Sequence, residues 1–323
     1  MIAKISAGLY RCACLATSAF LILLAVGCSR NTIRPVSSAT PAFTGCIRPI
    51  ELRQLGIGAA DMSSSGQMVI IYYLSAPGGM GDLIVVDLAT AQPISQRVGV
   101  DDLKSSTARV YDLRWSDTST ELLYLDGKSV NAVNLDTGQI TVVTSCESCV
   151  TVATSPKGIT ATLRVTDDFA GIIVERSAGD SILITDTNLT GGNISVSPNG
   201  RWLTYLVVNG DDDSRQGMYR TRIYDLWKQT TYTTTAANYF RPSWLDDNVL
   251  VAPDRFAPKL WAFDLISGEG KEIADLSAQK LPLARITGVL MRPGNRYWLL
   301  QTYYETEAAS DLWIVDIDCL QQQ

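Results

Sequence analysis

One short pattern recurs six times along this chain and constrains its fold more than any other feature. In each copy an apolar strand ends in an acidic or amide residue, and a tight turn follows four residues later. We call these six polar residues the anchors: Asp87, Asn134, Glu175, Asp225, Asp264 and Asp316. Successive anchors are 39 to 52 residues apart, and the sequence between them alternates without a helical period. A repeat of this size predicts the four-stranded blades of a β-propeller.

Each predicted blade opens with an inner strand and a tight hairpin turn. Ser155-Pro156-Lys157-Gly158 and Ser197-Pro198-Asn199-Gly200 are two such turns. Proline sets one turn dihedral and glycine or asparagine accepts a positive φ, so these segments favour hairpins. The six predicted blades span residues 57–98, 108–144, 149–185, 192–234, 239–275 and 284–319. The sequence therefore predicts an all-β, six-bladed propeller.

The last repeat lacks an outer strand, because only seven residues follow Asp316. A segment with strand character, residues 46–52, precedes the first repeat. Pairing of this segment with the last blade would close the ring and hide two sheet edges. Pro49 is compatible with that position, since an outermost strand is an edge strand. We therefore expect the propeller to span residues 46–323 and to be closed by its N-terminal strand.

The cysteines fit the same closure. A strand at residues 46–52 that completes the last blade would bring Cys46 close to Cys319, and we expect a disulfide between them. Cys146 and Cys149 are then left to pair with each other. This CxxC spacing is also that of redox sites, but those lie at a helix start, whereas this one falls between two predicted strands. A structural disulfide is the favoured interpretation.

The first 27 residues have the features of an export signal. Lys4 and Arg11 precede an apolar stretch, residues 12–27, that is too short to span a membrane. The run Ala25-Val26-Gly27-Cys28 resembles a bacterial lipoprotein signal, which implies cleavage before Cys28 and acylation of that cysteine. An uncleaved anchor and an ordinary signal peptide are the alternatives. No cofactor and no metal site is predicted.

The residues that follow Cys28 bear on where the protein resides. Ser29 stands where an Asp favours retention at the inner membrane of Gram-negative cells, so we expect the outer membrane or the cell surface. Residues 28–45 are rich in Ser, Thr and Pro and lack periodicity, which predicts a flexible tether. The expected location is the bacterial cell envelope, with a lipid anchor on the extracytoplasmic side.

Three short segments resemble the repeats of TolB-type propellers. They are Ser197-Pro198-Asn199-Gly200-Arg201-Trp202-Leu203, Leu312-Trp313-Ile314-Val315-Asp316 and Leu135-Asp136-Thr137-Gly138. Propellers of this family serve as protein-binding platforms in the bacterial envelope or as substrate-gating domains of serine peptidases. The resemblance extends over residues 57–319 at the level of the repeats, and it implies a role in binding.

Charge restricts the class of partner. Removal of the predicted signal peptide deletes Lys4 and Arg11 and no acidic residue, which leaves 25 basic and 33 acidic residues, a net charge of −8. Nucleic acid and anionic lipid surfaces are therefore not expected to bind, because phosphate groups require clustered Lys and Arg. The expected partner is an envelope protein or peptide with basic character, bound by a monomer that contacts the membrane through its lipid only.

The longer predicted loops join the second strand to the third, or one blade to the next, and so lie on one face of the ring, here called the loop face. Loops on a rigid scaffold often carry function. The candidate binding residues on this face are Asp101, Asp102, Asp211, Asp212, Asp213 and Glu305. They would attract a basic partner or a Ca²⁺ ion, although the Asp triplet lacks the spacing of a calcium loop. The alternative is that these groups only keep the loops solvated.

Inner-strand polar residues are a second candidate set. Those that could line the central channel are Asp112, Arg114, Arg241, Ser243 and Arg292. Arg114 and Arg241 are included among the candidate binding residues. Equally, these side chains could form structural ion pairs with the acidic anchors.

Known catalytic arrangements are mostly excluded. The chain contains no histidine, which removes Ser-His-Asp and Cys-His catalysis. Paired carboxylates could still cleave a glycosidic bond, but no pair stands out. Most of the seven tryptophans occupy strand positions expected between blades, where packing explains them better than sugar stacking. We expect a non-enzymatic, membrane-tethered binding propeller; the alternative is a carboxylate-dependent hydrolase or lyase acting on cell-envelope glycan.

Overall fold

The computed structural model describes most of the propeller. The described residues are 45–50, 57–74, 81–94, 113–116, 120–126, 128–166, 168–177, 179–186, 188–208, 219–232, 242–254, 257–277, 285–304 and 309–320. They all belong to one compact unit, Ala42–Gln323. The predicted signal peptide, Cys28 and residues 28–44 of the predicted tether lie outside them. In the described part of the chain, no helix is long and apolar enough to cross a membrane.

Within these ranges the chain forms six four-stranded antiparallel sheets arranged as a six-bladed propeller, which confirms the predicted fold. Blade 1 contains β2 (Ile57–Met62), β3 (Met68–Leu74), β4 (Gly81–Asp87) and β5 (Gln92–Pro93). Blade 2 contains β6 (Leu113–Trp115), β7 (Glu121–Leu125), β8 (Ser129–Asn134) and β9 (Ile140–Ser145). Blade 3 contains β10 (Cys149–Thr154), β11 (Thr160–Val165), β12 (Ala170–Ser177) and β13 (Asp180–Thr185).

The second half of the ring repeats the arrangement. Blade 4 contains β14 (Leu189–Val196), β15 (Trp202–Val208), β16 (Tyr219–Asp225) and β17 (Thr230–Tyr232). Blade 5 contains β18 (Ser243–Trp244), β19 (Val249–Pro253), β20 (Lys259–Asp264) and β21 (Gly270–Asp275). Blade 6 contains β22 (Arg285–Leu290), β23 (Tyr297–Tyr304), β24 (Ala309–Asp316) and the N-terminal strand β1 (Ile47–Ile50). A short helix, α1 (Ile317–Leu320), follows β24.

The ring closes as the sequence predicts. Strand β1 pairs antiparallel with β24, in a register that places Ile47 opposite Val315 and Ile50 opposite Leu312. The backbone N–H of Asp316 donates to the carbonyl oxygen of Cys46 at 2.8 Å. Cys46 and Cys319 form a disulfide with their Cα atoms 5.3 Å apart. The first and last parts of the chain are therefore joined in one sheet by both hydrogen bonds and a covalent bond.

The anchors build the turn between the third and fourth strands. Oδ1 of Asn134 accepts backbone N–H groups from Asp136 and Thr137, both at 3.0 Å. Four residues after five of the anchors the backbone has a positive φ, at Ala91, Gly138, Gly179, Gln229 and Gly268. In blade 6 the turn is replaced by α1, where Asp316 Oδ1 accepts the N–H of Cys319 at 3.3 Å. The five Asp and Asn anchors therefore satisfy turn N–H groups.

The core lies between blades, because each sheet buries the alternate residues of both faces. Ile172 and Val174 of blade 3 pack with Leu203 and Tyr205 of blade 4 in one such layer. Five tryptophans are buried as expected: Trp115, Trp202, Trp244, Trp298 and Trp313. Stacking of this kind makes each blade depend on its neighbours.

Blade 1 is tied to both neighbours by one carboxylate. Oδ2 of Asp61, on β2, accepts the backbone N–H of Trp115 at 2.8 Å and the Nη2–H of Arg292 at 3.1 Å. Trp115 Nε1 and Arg292 Nε donate to the carbonyls of Asp61 and Met62. Arg292 therefore forms a structural ion pair as the second alternative expected, but with Asp61 and not with an anchor, because the inner strands approach one another around the ring axis.

We predict that the two disulfides differ strongly in their effect on stability. Cys46 and Cys319 are separated by 273 residues and Cys146 and Cys149 by three. Loop-closure entropy predicts a loss of about 5 kcal/mol when the first pair is changed to Ala and about 2 kcal/mol for the second. Urea unfolding of the two double variants under identical conditions measures this difference. Equal losses would contradict the entropic argument.

Gly268 offers a test of the turn geometry. Its φ is +75°, and a Cβ there would meet nothing closer than the Tyr232 hydroxyl at 3.9 Å. Gly268→Ala should therefore cost about 1–2 kcal/mol through backbone strain alone. The control is Gly45→Ala, where φ is not positive and no atom lies within 4 Å of the added Cβ. Thermal unfolding should separate the two variants; an unchanged Gly268→Ala would show that the turn relaxes.

Candidate binding surface

All six loop-face residues singled out by the sequence, and one inner-strand residue, lie outside the described residues. They are Asp101, Asp102, Asp211, Asp212, Asp213, Glu305 and the inner-strand residue Arg241. Their role in binding stays a prediction. Arg114 is described and lies half-buried on β6. Within the described residues, no group of three or more His, Cys, Asp or Glu side chains is arranged to hold a metal ion.

Two described carboxylates next to this face are engaged in turns. Asp126 accepts backbone N–H groups from Lys128 at 2.9 Å and Ser129 at 2.8 Å. Burial opposes its ionisation, but these bonds and those from Asn131 and Ser129 side chains outweigh it and lower the pKa of Asp126. Asp254 accepts the Ala257 N–H and Trp261 Nε1–H, both at 3.1 Å. These two groups stabilise loops, in line with the structural alternative.

The opposite face, here called the turn face, carries the turns between first and second and between third and fourth strands. Two large apolar side chains project from it on neighbouring blades. Trp227 lies in the turn between β16 and β17 and is 62% exposed, and Ile266 lies in the turn between β20 and β21 and is 60% exposed. Each stands two residues after an anchor. Trp227 is therefore an exception to the expectation that most tryptophans pack between blades.

Trp227 is exposed but firmly positioned. Its backbone N–H donates to Asp225 Oδ1 at 3.0 Å, and that of Lys228 donates to the same oxygen at 3.1 Å. The other carboxylate oxygen, Oδ2, accepts Nη2–H and Nε–H of Arg201 at 2.8 and 3.1 Å. The guanidinium carbon of Arg201 is 5.3 Å from the Trp227 ring centroid and 4.2 Å from that of Trp202. Hydrogen bonds and cation–π contacts thus fix one exposed indole.

The state of Asp225 follows from these contacts. Burial of its carboxyl group opposes ionisation, but the hydrogen bonds from Arg201 and from the N–H groups of Lys228 and Trp227 outweigh it. The pKa of Asp225 is consequently lowered from its ordinary value of 3.8. Asp225 is therefore ionised at neutral pH, where it holds both the turn and Arg201.

Contacts between blades 4 and 5 extend the surface beyond Trp227. Trp202 Nε1 donates to Asn248 Oδ1 at 3.1 Å, across the blade boundary. Asn248 ends a turn in which Asp246 Oδ1 accepts the Asn248 and Val249 N–H groups at 2.7 and 2.9 Å. Asp246 and its neighbour Asp247 are both exposed. Two carboxylates therefore sit on the turn face close to the Arg201–Trp202 pair.

Tyr232 links the same region to Ile266. Its ring lies edge-on to Trp202 with centroids 5.6 Å apart. Its hydroxyl lies 3.9 Å from the place where a Cβ on Gly268 would stand, in the turn that carries Ile266. We name this region the blade 4–5 patch, formed by Trp227, Tyr232, Ile266, Asp246 and Asp247. It combines an aromatic ring, an aliphatic side chain and negative charge, a composition suited to an apolar side chain flanked by a positive group.

A sequence signal for this patch exists. The position two residues after an anchor holds Ala89, Asp136 and Asp318 in other repeats, and each of these is exposed. A turn position that is small or acidic in several repeats predicts exposure in all of them. Trp227 and Ile266 could therefore have been recognised as surface residues from the repeat alignment within this one chain.

Comparison with solved structures shows which known proteins share this architecture. A TolB structure from Agrobacterium tumefaciens superposes with a TM-score of 0.51 at 15% identity, covering 84% of this chain and 96% of that one. TolB from Acinetobacter baumannii gives 0.50 at 16% identity, over 78% of this chain and 64% of that one. This chain has a TolB-like β-propeller fold. It spans about two thirds of the length of the Acinetobacter protein.

The fold is shared well beyond TolB. The U3-55K structure matches with a TM-score of 0.54 at 9% identity, over 85% of this chain and 99% of that one. No protein-family model and no curated protein sequence matches the chain. The TolB-like fold therefore supplies a scaffold, and the function of this chain depends on the surface residues that the scaffold carries.

The Arg201–Asp225 pair leads to a pH-dependent prediction. The pKa of Asp225 is lowered in the folded state. The contribution of its charge to the free energy of unfolding is therefore fully present above the pKa that Asp225 has in the unfolded chain, and it is lost as the pH falls below about 4. Asp225→Asn should cost about 2 kcal/mol at pH 7, since it weakens a largely buried charged hydrogen bond. The difference from wild type should stay constant down to about pH 5 and shrink at lower pH.

Urea unfolding of both proteins at several pH values between 3 and 7 measures this difference. The control is Asp247→Asn at an exposed carboxylate of the turn face, which should change the unfolding free energy by less than about 0.5 kcal/mol. A difference for Asp225→Asn that is independent of pH would contradict the assigned role of its charge.

Proposed function

We propose that this chain is a membrane-tethered, extracytoplasmic and non-catalytic propeller that binds another protein or peptide of the cell envelope. The observation that carries the proposal is the exposed indole of Trp227, held by Asp225 and Arg201 on the face that also exposes Ile266 of the next blade. Tryptophan and arginine are enriched among the residues that dominate binding energy at protein interfaces. An ordinary surface turn has no structural need for a large apolar side chain at this position.

Three features support an envelope location. Disulfides such as Cys46–Cys319 and Cys146–Cys149 persist in oxidising compartments and are rare in the cytosol. The run that ends in Cys28 resembles a lipoprotein signal, which would place a lipid anchor on that residue. Ser29 after it favours the outer membrane or the cell surface. Together they support a propeller held outside the cytoplasm by its lipid.

The chemistry of the patch defines the partner. Trp227 and Ile266 would take up an aliphatic or aromatic side chain, and Asp246 and Asp247 would pair with Lys or Arg beside it. A basic partner also agrees with the net charge of −8 expected for the mature chain. Asp101, Asp102, Asp211, Asp212, Asp213 and Glu305 remain candidates for a further acidic contact region on the loop face.

The test begins with the full chain, purified in mild detergent and used to capture cross-linked proteins from envelope extract. The captured protein is then purified and its affinity measured. Trp227→Ala should weaken binding by tenfold or more, because loss of a central aromatic residue costs about 2 kcal/mol or more. The Asp246→Asn, Asp247→Asn double variant should weaken binding and reduce its dependence on salt.

Leu183→Ala is the matched control, since Leu183 is also large, apolar and 56% exposed but lies on the outer strand of blade 3. It should leave the affinity unchanged. Equal binding by wild type and Trp227→Ala would contradict the assignment of the surface. Absence of any retained protein would contradict the binding function, and turnover of cell-envelope glycan by the wild-type chain would contradict its non-catalytic nature.

A further inference from the structure

Two asparagines of this chain stand in the Asn-x-Ser/Thr pattern of an N-glycan acceptor, here called a sequon. The first is Asn188, in the run Asp186-Thr187-Asn188-Leu189-Thr190, and the second is Asn193, in Asn193-Ile194-Ser195. Acceptor sites lie on surface segments of exported proteins, because the attached glycan is bulky and soluble. The structure distinguishes between these two asparagines.

Asn188 lies in the connection from blade 3 to blade 4, on the loop face, and it is exposed. Its backbone is held on both sides. The N–H donates to Asp186 Oδ1 at 3.1 Å, as in an Asx turn, and the carbonyl oxygen accepts the N–H of Val208 at 2.8 Å. Among the described residues, the side-chain amide of Asn188 makes no hydrogen bond. A well-defined turn therefore presents an unengaged carboxamide.

The backbone that follows Asn188 departs from the regular strand pairing. Leu189 of β14 pairs with Val207 of β15, and the next pair is Ile194 with Tyr205. Four residues of β14, 190–193, therefore stand opposite one residue of β15, and two of the four are glycine. A bulge of this size interrupts the ladder. Position 190, which completes the first sequon, is consequently not tied to β15 by regular pairing.

The second sequon is built into the sheet. Its middle residue, Ile194, is 2% exposed and belongs to the core between blades 3 and 4. Ser195 pairs with Thr204 of β15, and its carbonyl oxygen accepts the Thr204 hydroxyl at 3.4 Å. An enzyme that enclosed this sequon would have to detach β14 from its blade. The fold therefore excludes Asn193 as an acceptor, although its sequence fits the pattern.

The chemistry of N-glycosylation explains why access decides between them. A carboxamide nitrogen is a weak nucleophile, because its lone pair is delocalised into the carbonyl group, as in the peptide bond. An oligosaccharyltransferase must therefore enclose the asparagine and the hydroxyl-bearing residue together in its own active site. An exposed turn can enter such a site, whereas a strand paired within a blade cannot.

We propose that Asn188 is an N-glycan acceptor. Its Nδ2 attacks the anomeric carbon of an oligosaccharide that is carried on a lipid pyrophosphate. The bond from that carbon to the pyrophosphate oxygen breaks, one amide proton passes to a base of the transferase, and the lipid pyrophosphate leaves. The proposal shares only the export of the chain with the proposed function. Asn188 lies on the loop face and the blade 4–5 patch on the turn face, so either assignment can fail without the other.

The test uses the folded full chain in detergent, incubated with bacterial membranes that contain an oligosaccharyltransferase and its lipid-linked oligosaccharide. Intact mass and fragmentation of the glycopeptide measure the modification. Wild type should gain the mass of one oligosaccharide per chain, located on Asn188. Asn188→Gln should gain none. The matched control is Asn193→Gln, which should be modified like wild type.

Substitutions at position 190 separate recognition of the sequon from an effect on folding. Thr190→Ser keeps the hydroxyl group and should still be glycosylated, whereas Thr190→Val has nearly the same shape and should not be. Circular dichroism confirms that each variant is folded. A wild type that gains no oligosaccharide, a glycan located on Asn193, or a Thr190→Val variant that is modified like wild type would each overturn the proposal.

Discussion

Pairing of β1 with β24 is the interaction on which the rest of the structure depends. A propeller is a ring of blades, and each blade buries one face against the next. Without β1 the sixth blade would have an open edge, and no covalent link would join blade 6 directly to blade 1. The Cys46–Cys319 bond and the strand pairing make the ring continuous. Arg48 of β1 also donates to the carbonyl of Leu88 in blade 1, so the closing strand contacts the first repeat as well.

Closure and the anchors could be predicted from sequence because each depends on local chemistry. An anchor such as Asp264 accepts the N–H groups of Ile266 and Ser267, two and three residues later. Asp87, Asn134, Asp225 and Asp316 accept turn N–H groups in the same way, and this shared requirement leaves a periodic trace. The missing outer strand was equally visible, since a four-stranded unit with three strands must find its fourth elsewhere. Blade 6 departs from this pattern because α1 replaces the turn, and α1 is the segment that carries Cys319 of the closing disulfide.

The contacts around the ring axis could not be predicted in the same way. Asp61 and Arg292 are 231 residues apart, and they meet only because six blades bring the first and last inner strands together. Nothing near either residue specifies that pairing. The exposure of Trp227 was missed for a different reason: the expectation concerned most tryptophans, through their general preference for the core, and did not single out Trp227 by its position in the repeat. The position within the repeat was the better guide, because it reports the backbone on which the side chain stands.

The blade 4–5 patch gains its binding potential from the same contacts that build the turn. Asp225 fixes the backbone of Trp227 and the guanidinium of Arg201, so the indole is ordered before any partner arrives. A pre-ordered aromatic side chain loses little conformational entropy on binding, which favours affinity. If the patch binds as proposed, Arg201 and Asp225 serve both stability and recognition, and substitutions there should change both properties together. Trp227 contacts Arg201 and Asp225 from the surface and is not part of the core. Its substitution should therefore change binding with little effect on the stability of the fold.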